Sequence, residues 1–436
     1  MKIVTLDWRG FGDFSAVGQL TKKIFSFGEG YSVHPIQCID DMHCNVFDVS
    51  KDGKLEPVFN WKVKHDAVLH HVRTLAPSIL YIRLSPHVPT LELGCKLATT
   101  LPHVPVIVHY MDQPSLKGMS PTRAAYIQQM YDMLVRRATR VYTIHESSVP
   151  WLQEAYGCQP EVLANFVQEE ATPNLQLGEL MKRPLKIHYF GSIDRKMNAD
   201  AIAKVCKVVS NLEWVSFSIW SNSGVWGDVK DISDSSSNIS VAPSNLPEKE
   251  FQAKMKEADL LLLPYNSDDE SRAFLKHSFS NKFVDYLEVG GVILCYGSTE
   301  IPTVKSCADS GLALVCEDED SLKKLFSSRT ALLAQLQTLN LKDYSKKVKE
   351  ISVSQQKKVK DFFATLAACS SKADNKAQIN SDTVWVENEV NQKMLSFLIR
   401  QKFFDLAQPS QKQSLAASLM SRIMLARGYR GFDYEV

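Results

Sequence analysis

The sequence predicts an α/β protein of two doubly wound domains followed by a helical extension. Three observations lead there. Apolar runs of strand length alternate with stretches of helical period, the pattern of parallel sheets wrapped by helices. The pattern occurs twice, on either side of a polar, proline-bounded segment at 167–184. After about residue 340 the strand-like runs stop and a polar, helix-forming tail begins. At 436 residues the chain is too long for one compact domain and sufficient for two with an extension. The expected boundaries are 1–170, 185–342 and 343–436.

The elements follow in order. Ile3-Val-Thr-Leu6 is an expected strand, followed by a glycine-bearing turn and a helical stretch near 16–25. A strand at 79–83 precedes a helix at 90–99, and Val104-Pro-Val-Ile-Val-His109 is the next strand, its proline near the start where a missing N–H is best tolerated. Helical spacing at 124–138 and a strand at 140–144 complete the first series, which closes near Asn165-Phe166. The second series opens with Leu185-Lys-Ile-His-Tyr-Phe190 and continues through a helix at 199–209 and strands at 214–220 and 239–242. Phe251, Met255 and Ala258 set one face of a helix at 247–258, with Pro247 near its first position. A strand at 260–263 ends at Pro264. The Ser-, Asp- and Gly-rich insert 221–238 reads as an exposed loop, and 370–382 as a flexible stretch of the tail.

Composition excludes several classes. Apolar content of 44% and charged content of 23% are ordinary for a soluble globular chain. A formal net charge of +1 provides no global field for nucleic acid or an anionic membrane. Met1 to Trp8 has no basic-then-apolar leader, and no window is long and apolar enough to span a bilayer, so a cytoplasmic protein is expected. The nine cysteines include no CxxC pair and suit a reducing compartment. His34, Cys38, His43 and Cys44 are close in sequence but match no zinc module, and they read as loop and core residues. No metal and no cofactor is expected.

The segment from His277 to Tyr296 holds most of the chemistry. It reads as a loop, a helix, a glycine stop and a strand, with Phe283, Tyr286, Leu287 and Gly290 on the face that packs on a sheet. Ser280 and Asn281 stand at the helix start, where unpaired N–H groups and the dipole favour an anion. Lys282 stands beside them, and Asp285, one turn on, is placed to accept hydrogen bonds from ribose hydroxyls. The same residues also fit a plain N-cap and a solvated i,i+3 pair.

The stretch Asp259-Leu-Leu-Leu-Leu-Pro-Tyr-Asn266 with Lys276-His-Ser-Phe-Ser-Asn-Lys-Phe-Val-Asp-Tyr-Leu287 resembles the donor-binding region of retaining GT-B glycosyltransferases like those of glycosyltransferase family 4. The resemblance implies two Rossmann-like domains facing across a cleft, an acceptor domain at 1–170 and a nucleotide-sugar donor domain at 185–342. It further implies that Asp285 holds the nucleotide ribose and that Lys282 faces the diphosphate. The chain departs from the family twice: His277 stands where a glutamate is common, and the second acid is Asp285 rather than Glu.

Other motifs support this reading. Gly191-Ser-Ile-Asp-Arg-Lys196 joins a strand to a helix, so Gly191, Arg195 and Lys196 are donor-site candidates. Arg9-Gly-Phe-Gly-Asp-Phe14 is a glycine turn without the full dinucleotide fingerprint, because Ser15 replaces the last glycine. That disfavours a dinucleotide-dependent oxidoreductase, and Gly10, Gly12 and Asp13 become acceptor-side candidates. His109-Tyr-Met-Asp112 resembles a His-x-Met-Asp element of bacterial polysaccharide glycosyltransferases, which makes His109 a catalytic candidate with Lys282 and places Asp112 in the cleft. Thr143-Ile-His-Glu146 and Leu163-Ala-Asn-Phe166 resemble the family's strand-end and linker-entry elements.

The expected activity is transfer of a sugar from a nucleotide-diphospho-sugar to a hydroxyl of a glycan, lipid-linked or small-molecule acceptor. As the resemblance implies, it is retaining and needs no metal. A sugar-nucleotide epimerase of the same fold and a non-catalytic binding protein are the alternatives. In the tail, Lys346, Lys347, Lys349, Lys357, Lys358 and Lys360 accompany apolar Val348, Ile351, Val359 and Phe362. This stripe fits a helix packed back across the N-terminal domain, or peripheral contact with a membrane.

Overall fold

A computed structural model describes residues 1–374 apart from 14–15, 41–42, 51, 112–118, 169–171, 174, 176, 223–226, 245 and 340. Two sheets organise it. The first has nine strands among the described residues: β1 (Lys2–Asp7), β2 (Ser32–Cys38), β3 (His43–Val49), β4 (Leu55–Pro57), β5 (Val63–Lys64), β6 (Ile79–Leu84), β7 (Val106–Tyr110), β8 (Arg140–Thr143) and β9 (Glu161–Val162). Their order is β4-β3-β2-β1-β6-β7-β8-β9, with β5 also on β3. From β2 to β9 neighbouring strands are parallel, whereas β3 joins β2, β4 and β5 antiparallel.

The second sheet is wholly parallel and consists of β10 (Leu185–Phe190), β11 (Val215–Trp220), β12 (Ile239–Ala242), β13 (Leu260–Pro264), β14 (Val292–Tyr296) and β15 (Ala313–Cys316). Its order is β12-β11-β10-β13-β14-β15. Counted from its first strand this is 3-2-1-4-5-6, the doubly wound order, in which the winding direction reverses between β10 and β13.

The helices are α1 (Ala16–Ser26), α2 (His65–Leu75), α3 (Val88–Thr100), α4 (Pro121–Arg137), α5 (Val149–Tyr156), α6 (Ala199–Val209), α7 (Gly227–Ser235), α8 (Glu248–Lys256), α9 (Asp269–Leu275), α10 (Asn281–Glu288), α11 (Pro302–Ser310), α12 (Glu319–Leu325), α13 (Arg329–Thr338) and α14 (Tyr344–Asp374). Within the insert expected to be a loop, α7 forms, and its Val229 is buried against the second sheet's core.

Both sheets are covered on two faces, so central strands are mostly apolar. In β1 and β6, Val4, Leu6, Leu80 and Ile82 enter one cluster while Ile3, Ile79 and Tyr81 enter the other, the period of two expected of a strand. The stripe on α14 is accounted for in the same way. Tyr344 and Val348 are buried against the second sheet, and Val359, Phe362, Leu366 and Cys369 against the first. The helix therefore straps the two halves together, with Val348, Ile351, Val359 and Phe362 of its stripe packed against protein. Among the described residues no helix is long and apolar enough to cross a membrane.

Candidate donor site between the two sheets

A pocket opens between the halves. Val17 of α1, Met111 after β7 and Ile144 after β8 line it from the first half. From the second half come Tyr189, Met197, Asn198, Leu263, Pro264, Tyr265, Leu275, Ser278, Phe279, Ser280, Asn281, Lys282 and Thr303. Tyr189 and Leu263–Tyr265 stand at the C-terminal ends of β10 and β13, the two strands between which the winding reverses. In an open α/β sheet that crevice is where ligands bind.

α10 points its first turn into the pocket. It forms where expected because Phe283, Val284, Tyr286 and Leu287 bury one face and Gly290, at φ 76°, stops the helix. Ser280 is the N-cap: its Oγ accepts from the Lys282 N–H at 3.3 Å, and its own N–H donates to Thr303 Oγ1 at 2.9 Å. The Phe283 N–H donates to Ser280 O at 3.2 Å. The cap thus uses two of the amides that were candidates for an anion, and the charge of Lys282 becomes the principal attraction.

Lys282 is the one cation among the described residues lining the pocket, and no carboxylate lines it. Its ammonium has no hydrogen-bond or ion-pair partner among the described residues. Burial holds its pKa below the usual lysine value, opposed by the negative charge of Asp285. An incoming anion relieves that penalty. The side chain lies across Gly191, whose φ of 138° and lack of a Cβ make the approach feasible.

The turn after β10 is fixed internally. Asn198 Nδ2 donates to Tyr189 Oη at 2.8 Å and to Ser192 O at 3.1 Å, and Asn198 Oδ1 accepts from the Asp194 N–H at 2.9 Å. Asn266 Nδ2 ties down Arg195 O at 2.7 Å. Gly191 therefore stands behind the Lys282 side chain without itself lining the pocket, and Arg195 and Lys196 do not line it either. Both side chains are exposed, and Lys196 Nζ lies 3.8 Å from Glu270.

Asp285 and His277 are drawn into contacts between the halves. Asn165 Nδ2 donates to Asp285 Oδ1 at 2.9 Å and to Asn281 O at 3.2 Å. Burial raises the Asp285 pKa against the lowering effects of Lys23 and Asn165. Asp285 is thus outside the pocket lining, committed to Asn165. His277 Nδ1 lies 2.9 Å from Ser147 O, and Ser148 Oγ donates to His277 O at 2.8 Å. Nearby, Lys23 pairs with Glu288 at 2.7 Å. Glu146 pairs with Lys358 of α14 at 3.2 Å.

The first-half candidates are largely structural. Gly10 N–H donates to Asp13 Oδ2 at 2.8 Å, and Gly12 N–H to Gly18 O at 2.9 Å. A Cβ on Gly18 would stand 2.1 Å from Asp13 Oδ1, so Gly18 is the glycine this turn requires most. Gly10, Gly12 and Asp13 build the turn, while Val17 of the following helix reaches the pocket. Asp112 lies outside the described residues. His109, expected at the cleft, is 1% exposed inside the first sheet, its Nδ1 bonded to Tyr81 Oη. Burial and Arg83 push its pKa down to about 3, so the ring is neutral within the core. The sequence reading also missed Asp7 and Arg83, which form a buried ion pair across the C-terminal ends of β1 and β6, where the first sheet reverses.

The structure is similar to sucrose-phosphate synthase from Thermosynechococcus elongatus, with a TM-score of 0.58 and 10% identity over 84% of this chain and 100% of that one. It is also similar to a glycosyltransferase from Rickettsia africae ESF-5, with a TM-score of 0.55 and 9% identity over 84% of this chain and 98% of that one. At these identities the likeness concerns the fold, which is the GT-B arrangement of two Rossmann-like domains with a helical C-terminal segment. No protein-family model and no curated protein sequence matches the chain.

Proposed function

We infer that this protein is a retaining, metal-independent glycosyltransferase that moves a sugar from a nucleotide-diphospho-sugar to a hydroxyl acceptor. The observation that carries the reading is Lys282: an unpaired, partly buried ammonium at the head of α10, in a pocket free of carboxylates among its described lining residues. Transfer leaves negative charge on the departing diphosphate, and a fixed cation in a low-dielectric site stabilises it most. The donor diphosphate lies along Gly191 and Lys282, with the base and ribose toward the second sheet. The acceptor enters from Val17, Met111 and Ile144, and the departing phosphate oxygen takes the acceptor's proton.

A second reading, a non-catalytic nucleotide-sugar-binding protein, is favoured by one observation. His277 replaces an acid and is held by Ser147 O rather than aimed into the pocket. One experiment separates the two. The purified protein is incubated with a panel of nucleotide-sugars and candidate acceptors, and released nucleotide is measured beside thermal stabilisation. Release that needs an acceptor supports transfer, donor turnover without one points to an epimerase, and stabilisation alone points to binding.

A further inference from the structure

The antiparallel register of β2 and β3 sets Cys38 opposite Cys44. Because the Ile39 N–H donates to His43 O at 2.9 Å, the next pair, Cys38–Cys44, is a non-hydrogen-bonded one, where facing side chains come closest. Their Sγ atoms are 3.5 Å apart. β3 also pairs with β5, setting Cys44 opposite Val63, and β5 runs directly into α2, whose first residue is His65. One imidazole nitrogen of His65 and the two sulfurs lie within 4.8 Å of one another. All three residues are buried, at 1%, 0% and 6% exposure, and His65 Nε2 has no hydrogen-bond partner among the described residues. A buried imidazole with one nitrogen unpartnered, on a residue packed beside two thiols, is an incomplete arrangement.

We propose that Cys38, Cys44 and His65 bind one Zn²⁺ ion, which fastens the β2–β3 hairpin to the start of α2. The ligand chemistry is specific: two thiolates and a neutral imidazole suit zinc and exclude the hard cations magnesium and calcium. The spacing fits as well. Thiolates about 2.3 Å from a tetrahedral zinc stand about 3.8 Å apart, so the sulfurs need to move only a few tenths of an ångström. A disulfide would require them to close to about 2.05 Å. Binding as two thiolates releases both thiol protons to solvent. Three protein ligands leave a fourth coordination position. None of the three residues lines the pocket, so this site stands apart from the proposed transfer. His34 and His43, which stand nearer in sequence, pair instead with Asp48 and Asp40.

The test uses the full chain, reduced and stripped by a chelator, titrated with Zn²⁺ against a chromophoric competitor and separately with Co²⁺. The expected result is one metal per chain and a thiolate-to-cobalt charge-transfer band. Cys38→Ser and His65→Gln should each weaken zinc binding more than about a hundredfold, since losing even an outer partner costs roughly 10–100-fold. Cys95→Ser, a buried cysteine of α3 outside the trio, should bind as the parent does. If the variants fold poorly, the cobalt spectrum of the parent decides alone. Absence of the thiolate band, equal affinity in Cys38→Ser, or recovery of a Cys38–Cys44 disulfide with no zinc uptake after reduction each overturns the proposal.

Discussion

Lys282 lies across Gly191 so closely that a Cβ built on the glycine would stand 2.5 Å from Lys282 Cε and 2.8 Å from its Nζ. The two residues come from different elements, the end of β10 and the head of α10, and each makes the other's position necessary. Gly191→Ala should therefore displace the ammonium and strain a backbone held at φ 138°. The expected outcome is a loss of about 1–3 kcal/mol in stability. Nucleotide-sugar binding should weaken by more than tenfold, on the order of 1.4 kcal/mol. Denaturant titration and calorimetry measure both, and unchanged binding would show that the lysine's placement is unimportant.

Asp285→Asn tests the contact between the halves. Burial raises the Asp285 pKa, so the folded state keeps its proton to higher pH than the unfolded chain, whose value is near 3.8. Its contribution to stability therefore falls as pH rises from about 3.8 through the folded value. The asparagine cannot ionise, and its amide oxygen still accepts from Asn165. The variant should be more stable than the parent at neutral pH, and the gap should close in acid. Thermal melts across pH check this; a gap that widens in acid refutes it.

His109 has the opposite sign. It is neutral in the fold, with a pKa of about 3, and ordinary, near 6.5, when unfolded. The unfolded chain binds the extra proton between those values, so stability should fall as pH drops from about 6.5 toward 3, by up to about 1.4 kcal/mol per unit. His109→Asn should remove that part of the slope. Because the ring is outside the pocket, the pH profile of transfer should be unchanged, and a shifted profile would return His109 to the reaction.

α14 should be indispensable to the first half as well as the second. Phe362 packs edge-on against Tyr142 at 5.2 Å and near Phe25 and Tyr81 at 6.1 Å. Phe362→Ala should cost about 3–5 kcal/mol. Urea unfolding checks it; a change within about 0.5 kcal/mol would mark the helix as a surface appendage.

Much of this was legible because local signals agreed. α10 had a serine cap, an apolar face and a glycine stop, and β10, β12 and α6 fall at their expected residues. The β2–β3 hairpin escaped because Pro35, Gln37, Asn45 and Asp48 interrupt its apolar pattern. Their polarity is met by remote partners, such as His34 Nδ1 with Asp48 Oδ1 at 2.5 Å. A proline inside a strand also argues against that assignment. Partners remote in sequence were invisible for the same reason. Asp7 meets Arg83 only once β1 and β6 pair, and Asn165 meets Asp285 only once the halves close. His109 was expected at the cleft because a strand end can point to a cleft or into a core, and only the folded packing, with Tyr81 Oη on its Nδ1, shows which.

The central claim is that Lys282 neutralises the leaving diphosphate. The direct measurement is nucleotide release from a nucleotide-sugar panel by the parent and by Lys282→Ala, with folding of both verified by circular dichroism. The account predicts acceptor-dependent release by the parent and a loss of about a hundredfold or more in the variant, the scale of removing one preorganised charge-stabilising group. A folded variant that transfers sugar at the parent's rate would contradict it.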